Sequence, residues 1–502
     1  MELPSYASGL KSIIVDAVTA ETEGALTDLV TTSQSWAQGT EPGGPGTKSA
    51  LEWAETSEAF ANSVGAVATT YTTDTGTQVD LITDDKGFPL LEFTAPDLPL
   101  VSVPLKTLTK YDWLVVMPTG QSIMVGTQAV EVISTATIPG LKMLSGGVRL
   151  FDNAATISTQ TIADAIEVSA AQGLESPTRG IGEGILESLQ TRHGLSYADH
   201  GTDFILCNWG QSGVSLTSLV KGSSNYTNMI AAVNRIKALA TAAGKTCAVI
   251  AVPFSQGQSG PFTGYGALLE QLVLDFNTDI KAITGQTESI PLLMVQECGL
   301  SNYGGTANAD ANRHVATEQF RVASTNPLIR MVTPDYWWVT TDGIHWPAPL
   351  SKRIGGVMGH AVVQECLESS AGWVPLMPGA PSRSGKIVTI PFTGPGELLF
   401  DTSTIKDPGN YGFSYVQTDG TTPVAISRVW IAGMSIKLLL ASAVPGKLRY
   451  AWGETYTTSV RAGPITGARG CLRSRLDDEF TGTGISAMPV RVFAPMFSKD
   501  VA

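Results

Sequence analysis

Residues 111–124 read YDWLVVMPTGQSIM, an apolar run over 111–117 interrupted only by Asp112, which breaks at Pro118 into a glycine-containing turn and a serine, Ser122. A run this short, bounded by turn residues and apolar without alternation from Trp113 to Met117, predicts a strand buried on both faces. Four more runs of the same kind follow at 204–208 (FILCN), 247–254 (CAVIAVPF), 291–297 (PLLMVQE) and 329–333 (IRMVT). Helical patterns lie between them. Met229, Ile230, Val233, Ile236 and Leu239 mark one apolar face that ends at Gly244, and Leu268, Leu269, Leu272, Phe276 and Ile280 mark another. Strands of this type alternating with amphipathic helices predict a parallel sheet covered on both faces over residues 109–370. In such sheets the chemistry gathers at the carboxyl ends of the strands.

The flanking segments have other textures. Residues 371–502 lose the helical period and break into short strands (KIVTIPF, GELLFDT, YGFSYVQ, SIKLLLAS, KLRYAWG) separated by Gly, Pro and Asp, which predicts a β-sandwich or jelly-roll. Residues 66–108 alternate and turn quickly, as a small β element would, with Asp84-Asp85-Lys86-Gly87 as a turn. Residues 1–65 form a separate module in which Trp36-Ala37-Gln38-Gly39 and Trp53-Ala54-Glu55-Thr56 flank the turn-rich GTEPGGPGTKSA. Its apolar positions (Ile14, Val18, Leu26, Leu29, Val30) are too sparse to bury a lone helix, so sister copies are expected.

Composition narrows the function. At 502 residues the chain is long enough for about two to four domains. Hydrophobic residues at 43% exclude global disorder. The balance of 32 basic against 45 acidic residues, net −13, argues against a phosphate-tracking nucleic-acid binder and against docking on anionic membranes. No uninterrupted apolar run approaches 18 residues, and the start MELPSYASGLKSIIVDAV lacks the basic and apolar regions of a signal peptide. Synthesis in a reducing cytosol is expected, with export only by lysis or within a particle. Cys207, Cys247, Cys298, Cys366 and Cys471 are scattered without short paired spacing, so buried thiols are expected rather than disulfides or a zinc site.

Four segments at successive strand ends carry the chemistry. Ser122 follows the first strand, where an exposed nucleophile would be placed. Asn208-Trp209-Gly210-Gln211-Ser212-Gly213 follows the second, and the Gly213 N–H is a candidate oxyanion donor. Gln256, in FSQGQSG after the third, offers a side-chain amide. Asp342-Gly343-Ile344-His345 follows the fifth, and of five histidines only His345 lies three residues after an acid in such a turn. That spacing lets Asp342 hold the imidazole while His345 takes a serine proton.

Together, TGQSIM, QSGVSL, the glutamine of QGQSG and TDGIHW resemble the SGNH hydrolase superfamily, in the carbohydrate-esterase branch similar to sialate O-acetylesterases. The resemblance implies a three-layer α/β/α domain with a flavodoxin-like parallel sheet. It implies Ser122 as nucleophile, His345 as general base, Asp342 as its orienter, and an oxyanion hole from the Ser122 and Gly213 amides and the Gln256 side chain. No metal or cofactor is implied. Gln258 and Gly260 stand where that branch usually has acids. Glu175, which resembles a substrate-side segment of phage relatives, and Gln121 are candidate substrate contacts. LRYAWG (448–453) and ARGCLR (468–473) resemble the closing segments of such esterases, where Trp452 and Arg473 would face sugar or pack at a seam. The WAQG–PGGPGTKSA–EWAE pattern resembles repeats near the N-termini of bacteriophage tail fibres and tailspikes. The expectation is a homotrimeric virion fibre, joined through its N-terminus to the phage tail or baseplate or to another fibre, that deacetylates a bacterial surface polysaccharide. The competing readings are a sugar-binding fibre on a decayed hydrolase scaffold and a lipase-like esterase of a cell's own metabolism.

Overall fold

The structure, a computed structural model, describes residues 67–72, 78–83, 89–94, 108, 110–167, 174–261, 263–298, 307–368, 372–453, 463–475 and 478–502. The tryptophan repeats and the expected trimerising region at 1–65 lie outside the described residues, as does the turn at 84–87. The chain divides into two compact units, Met1–Ser102 and Val103–Ala502. In the first, β1 (Val67–Thr72), β2 (Gln78–Thr83) and β3 (Pro89–Thr94) form an antiparallel sheet in sequence order.

The second unit is built on one long sheet. Its strands are β4 (Trp113–Val116), β5 (Thr119–Gly120), β6 (Leu141–Leu144), β7 (Ile162–Asp164), β8 (Asp203–Leu206), β9 (Cys247–Ser255), β10 (Leu292–Gln296) and β11 (Ile329–Pro334). They stand in the order β11-β10-β9-β4-β8-β6-β7, with β5 also paired to β9. Every pairing is parallel except β6 with β7. Strands β4, β8, β9 and β10 are buried at every position, which is why they read as continuous apolar runs. The five expected strands thus form the doubly wound core β8-β4-β9-β10-β11, and β6 and β7 extend one edge.

Among the helices are α1 (Ser122–Val125), α2 (Pro177–His193), α3 (Ser224–Ala242), α4 (Tyr265–Thr284), α5 (Ala307–Thr325) and α6 (Ala348–Val362), with one further single turn at Tyr197–His200. The expected apolar faces of α3 and α4 meet, with Tyr226 stacked on Phe276 at 5.6 Å. The helix stops at Ala242, and Gly244 takes a left-handed turn (φ 67°) two residues on. Helices α2 and α6 pack against each other through glycines. A methyl on Gly184 would strike the Gly356 carbonyl, one on Gly355 the Pro177 carbonyl, and one on Gly359 the Ile181 carbonyl.

The remaining strands are antiparallel. Ile387–Thr393, Ser435–Leu440 and Ile426–Ala432 lie in one sheet, and Phe413–Gln417, Gly446–Tyr450 and Phe497–Val501 in another. The sheets face each other through Phe392 and Phe497. This β-rich part is bound closely to the parallel sheet. The Gln296 side chain at the end of β10 pairs with the Met496 backbone in both directions (3.0 and 2.8 Å), and the Tyr336 hydroxyl donates to the Ala494 carbonyl (2.7 Å). Trp452 is a seam residue, with Arg449 and, from α5, Arg313 over its ring (4.8 and 5.9 Å), whereas Arg473 pairs with Asp401 (2.7 Å) inside the β-rich part. All five cysteines are buried and free.

One buried base has a measurable consequence. His360 on α6 is inaccessible, its ring nitrogens have no hydrogen-bond partner among the described residues, and burial, with a smaller effect of Arg192, lowers its pKa to about 4. A histidine whose pKa is depressed on folding stabilises the fold above its unfolded value and loses that contribution as pH falls to the folded one. The window is therefore from about 6.5 down to about 4, and the loss is on the order of 3 kcal/mol. His360→Leu should remove this component. Urea midpoints of the two proteins at the ends of the window measure it, and parallel losses in both would refute it.

Candidate active site

The nucleophile turn is fixed by close backbone contact. β5 pairs with Phe254–Ser255 at the end of β9, and Gln121 N donates to the Ser255 carbonyl (3.0 Å). Gly120 has φ 147° and a side chain there would collide with that carbonyl, so glycine is required. The chain turns into α1, whose first residue is Ser122 and whose left-handed cap is Gly126 (φ 83°). Ser122 therefore sits at the carboxyl end of β4, where the strand order reverses between β8 and β9, the usual ligand position of such sheets.

The base comes from the loop after β11. Asp342 Oδ1 accepts from the backbone N–H groups of Ile344 (3.0 Å) and His345 (2.9 Å), closing a tight turn with Gly343 at φ 98°. Asp342 Oδ2 lies 2.6 Å from His345 Nδ1, and His345 Nε2 lies 2.8 Å from Ser122 Oγ. The loop is anchored by buried Trp346, edge-on to Trp338 at 5.2 Å. Burial pushes the Asp342 carboxyl up, but the hydrogen bonds from His345 and Ile344 outweigh it and hold the pKa below the usual carboxylate value. Asp342 is thus an anion that holds a proton on Nδ1 and leaves Nε2 to accept from Ser122.

This arrangement predicts a specific failure for Asp342→Asn. The new amide oxygen would keep the two backbone donors, so its NH2 would face Nδ1 and force the proton onto Nε2. That tautomer cannot accept from Ser122. Turnover on a small ester should fall by about 10²–10⁴ with little change in KM. Steady-state kinetics test it, and an unchanged kcat would exclude the role given to Asp342.

Gly213 lies in a loop packed beside α1. Gln211 N donates to the Gly120 carbonyl (3.0 Å), and Ser212 and Thr127 share a hydroxyl hydrogen bond (2.9 Å). Gly213 is exposed with φ 72°.

Three of the expected site residues have other occupations. Gln256 is fully buried, and its Nε2 donates to the carbonyls of Gly260 (2.8 Å) and Val214 (3.4 Å), so the amide ties two loops together instead of presenting a free oxyanion donor. Glu175 is also fully buried, with its oxygens taken by the Ile133 and Ser134 amides (2.8 and 2.9 Å) and the Ser134 hydroxyl (2.5 Å). It braces a loop, out of reach of a substrate. Gln121 is 2% exposed, accepts from Gly257 N (3.1 Å) and donates to Gln258. Its side chain points into the protein.

The sequence reading missed Glu297. It stands at the carboxyl end of β10, buried, accepting from Ser255 Oγ and Gln258 Nε2. Burial, reinforced by the neighbouring Asp335 carboxyl, raises its pKa well above the usual value. A carboxylate ending an otherwise apolar run of a parallel sheet was the signal available.

Geometry defines the class as a doubly wound α/β protein with a hydrogen-bonded Ser–His–Asp relay at the sheet's carboxyl edge. No protein-family model matches the chain, and no curated protein does. Among solved structures, the chain is similar to a carbohydrate acetylesterase from Xanthomonas citri at 16% identity, over 78% of this chain and 84% of that one, with a TM-score of 0.47. It is also similar to a protein from Arabidopsis thaliana (15% identity, 50% and 98% covered, TM-score 0.36) and to NanS (12%, 51% and 98%, TM-score 0.35). Likenesses this distant assign no family, and the functional argument rests on the site.

Proposed function

We propose that the protein is a serine esterase that removes acetyl groups from a bacterial surface polysaccharide, carried on a bacteriophage tail fibre. The observation that carries the catalytic part is the relay of Ser122, His345 and Asp342, closed at 2.8 and 2.6 Å. Ser122 Oγ attacks the acetyl carbonyl while His345 Nε2 takes its proton. The carbonyl oxygen becomes an oxyanion stabilised by the Ser122 and Gly213 amides. Collapse transfers the proton from His345 to the sugar oxygen, which leaves as an alcohol, and the acetyl group remains on Ser122. Water then gives a proton to His345 and attacks the acyl carbon, and collapse of that intermediate returns the proton from His345 to Ser122 Oγ, releasing acetate and restoring both residues. With Gln256 engaged elsewhere, the oxyanion hole consists of the two backbone amides.

The intact relay disfavours the decayed-scaffold reading. Acetate release and binding measured together on acetylated bacterial polysaccharide decide the matter. Acetate supports the esterase, binding without acetate supports the scaffold, and turnover confined to lipid esters supports a metabolic lipase. The fibre and homotrimer parts rest on the resemblance of residues 1–65. Deleting those residues should leave activity on a small acetyl ester intact and convert a trimer to a monomer by light scattering. A truncated protein that stays trimeric, or a full chain that is monomeric, contradicts that part.

A further inference from the structure

Behind the nucleophile turn runs a chain of side chains, buried except for half-buried Gln258, that the reaction itself does not use. It begins at Gly257, whose backbone N–H donates to Gln121 Oε1 (3.1 Å). A backbone amide can only donate, so the Gln121 carbonyl is fixed towards it and the Gln121 NH2 must face away. That NH2 donates to Gln258 Oε1, the Gln258 NH2 donates to Glu297 Oε2, and Ser255 Oγ donates to Glu297 Oε1. Each amide fixes the next, so the last group must present an acceptor to the Gln258 NH2, while the Ser255 hydroxyl can donate to its other atom or accept from it. A carboxyl group fits that place. Gly257 packs directly on it, since a methyl there would lie 2.8 Å from Glu297 Cβ. Gln319 on α5 accepts from the Glu297 backbone N–H (2.9 Å), so the residue is also held from behind.

We propose that Glu297 is a positioning residue for the nucleophile: it anchors the 255–258 turn, which through Gln121 and Gly120 sets where Ser122 Oγ stands relative to His345. The inference rests on the esterase reading, because only that reading gives the Ser122 position a kinetic consequence. The link to Ser122 is short. Gln121 precedes it, and both the Gln121 backbone and side chain are bonded to the turn that Glu297 holds. The titratable groups about Glu297 are Asp335 beyond β11, Tyr265 on α4 and the adjacent Cys298.

The test uses the full chain and a small chromogenic acetyl ester. Wild-type protein is first labelled with a fluorophosphonate, and a label on Ser122 establishes the nucleophile independently of Glu297. Glu297→Ala should then lower kcat by about 10–100-fold with KM nearly unchanged, since misplacement of the attacking atom acts on the chemical step. Glu297→Gln should stay near wild type, because its amide oxygen accepts from Gln258 and its NH2 donates to the Ser255 hydroxyl. Gln258→Glu places two carboxyl groups face to face, so its kcat should decline with rising pH as their shared proton is lost. The double variant Gln258→Glu/Glu297→Gln restores one donor facing one acceptor along the whole chain and should lose that alkaline decline. Thermal melts of every variant identify one that fails to fold, and the Gln258→Glu pair stands apart from the alanine variant. A folded Glu297→Ala with wild-type kcat, or an alkaline decline that persists in the double variant, overturns the inference. Wild-type protein that neither turns over nor takes the label overturns the esterase reading itself.

Discussion

Ser122→Ala is expected to reduce turnover on a small acetyl ester by about 10³–10⁶ while leaving the fold intact. The size follows from the loss of the covalent route: without Oγ no acyl-enzyme forms, and the residual rate comes from binding and the oxyanion amides acting on water. The tolerance of the fold follows from what the hydroxyl touches. Its hydrogen bond is to His345 Nε2, and the turn is held instead by the Gln121 and Gly120 contacts with Ser255. Removing one nearly buried oxygen from the head of a short helix should shift stability by no more than about 1 kcal/mol. If the proposed polysaccharide is the substrate, its binding should persist, because the change removes only the nucleophilic oxygen. Kinetics and melting temperature read together check both halves. A variant that is inactive because it is unfolded does not meet the prediction, and a folded variant with wild-type turnover contradicts it.

The second large effect is on stability, and its sign separates two physical accounts. Helix propensity alone makes Gly184→Ala favourable by about 1 kcal/mol in the middle of α2. Packing predicts the opposite. Gly184 stands against the Gly356 backbone of α6, where an added methyl meets the carbonyl oxygen and forces two helices apart over a seam that also includes Gly180, Gly355 and Gly359. Overpacking of this kind costs about 1–3 kcal/mol, and here it must exceed the propensity gain. The contacted atoms are backbone, which cannot swing aside as a side-chain end would. Denaturant midpoints for the two proteins decide the sign. Stabilisation by Gly184→Ala would mean that the seam is looser than its geometry states.

The same seam explains what the sequence concealed. Residues 177–193 carry three glycines in alternate positions, at 180, 182 and 184, which weaken any helical signal there. They are helical because two helices approach through them and because Ser176 caps the start and Gly194 the end. Strand β6, between β8 and β7, was illegible for a different reason. Leu141–Leu144 is four residues long with one partly exposed lysine, too short for either period to show. By contrast, the five core strands announced themselves because burial on both faces leaves no polar alternation to confuse them.

At the site, Ser122 and the Asp342–His345 turn were legible because each is complete within a few residues of chain. Gln256, Glu175 and Gln121 were not. Each is a polar residue beside the turn, and whether its polar end faces substrate or protein depends on partners far along the chain: Gly260 and Val214 for Gln256, Ser134 for Glu175, Gly257 for Gln121. Glu297 escaped notice for the same reason, since its place in the network is set by Ser255 at the end of β9 and Gln258 in the turn that follows.

The most direct measurement of the central claim is mass spectrometry of the protein quenched during turnover of a small acetyl ester. The account predicts one acetyl group, on the peptide containing Ser122, that is absent from Ser122→Ala. Acetyl found on another residue while Ser122 stays free, or acetate released by Ser122→Ala as fast as by the wild type, would contradict it.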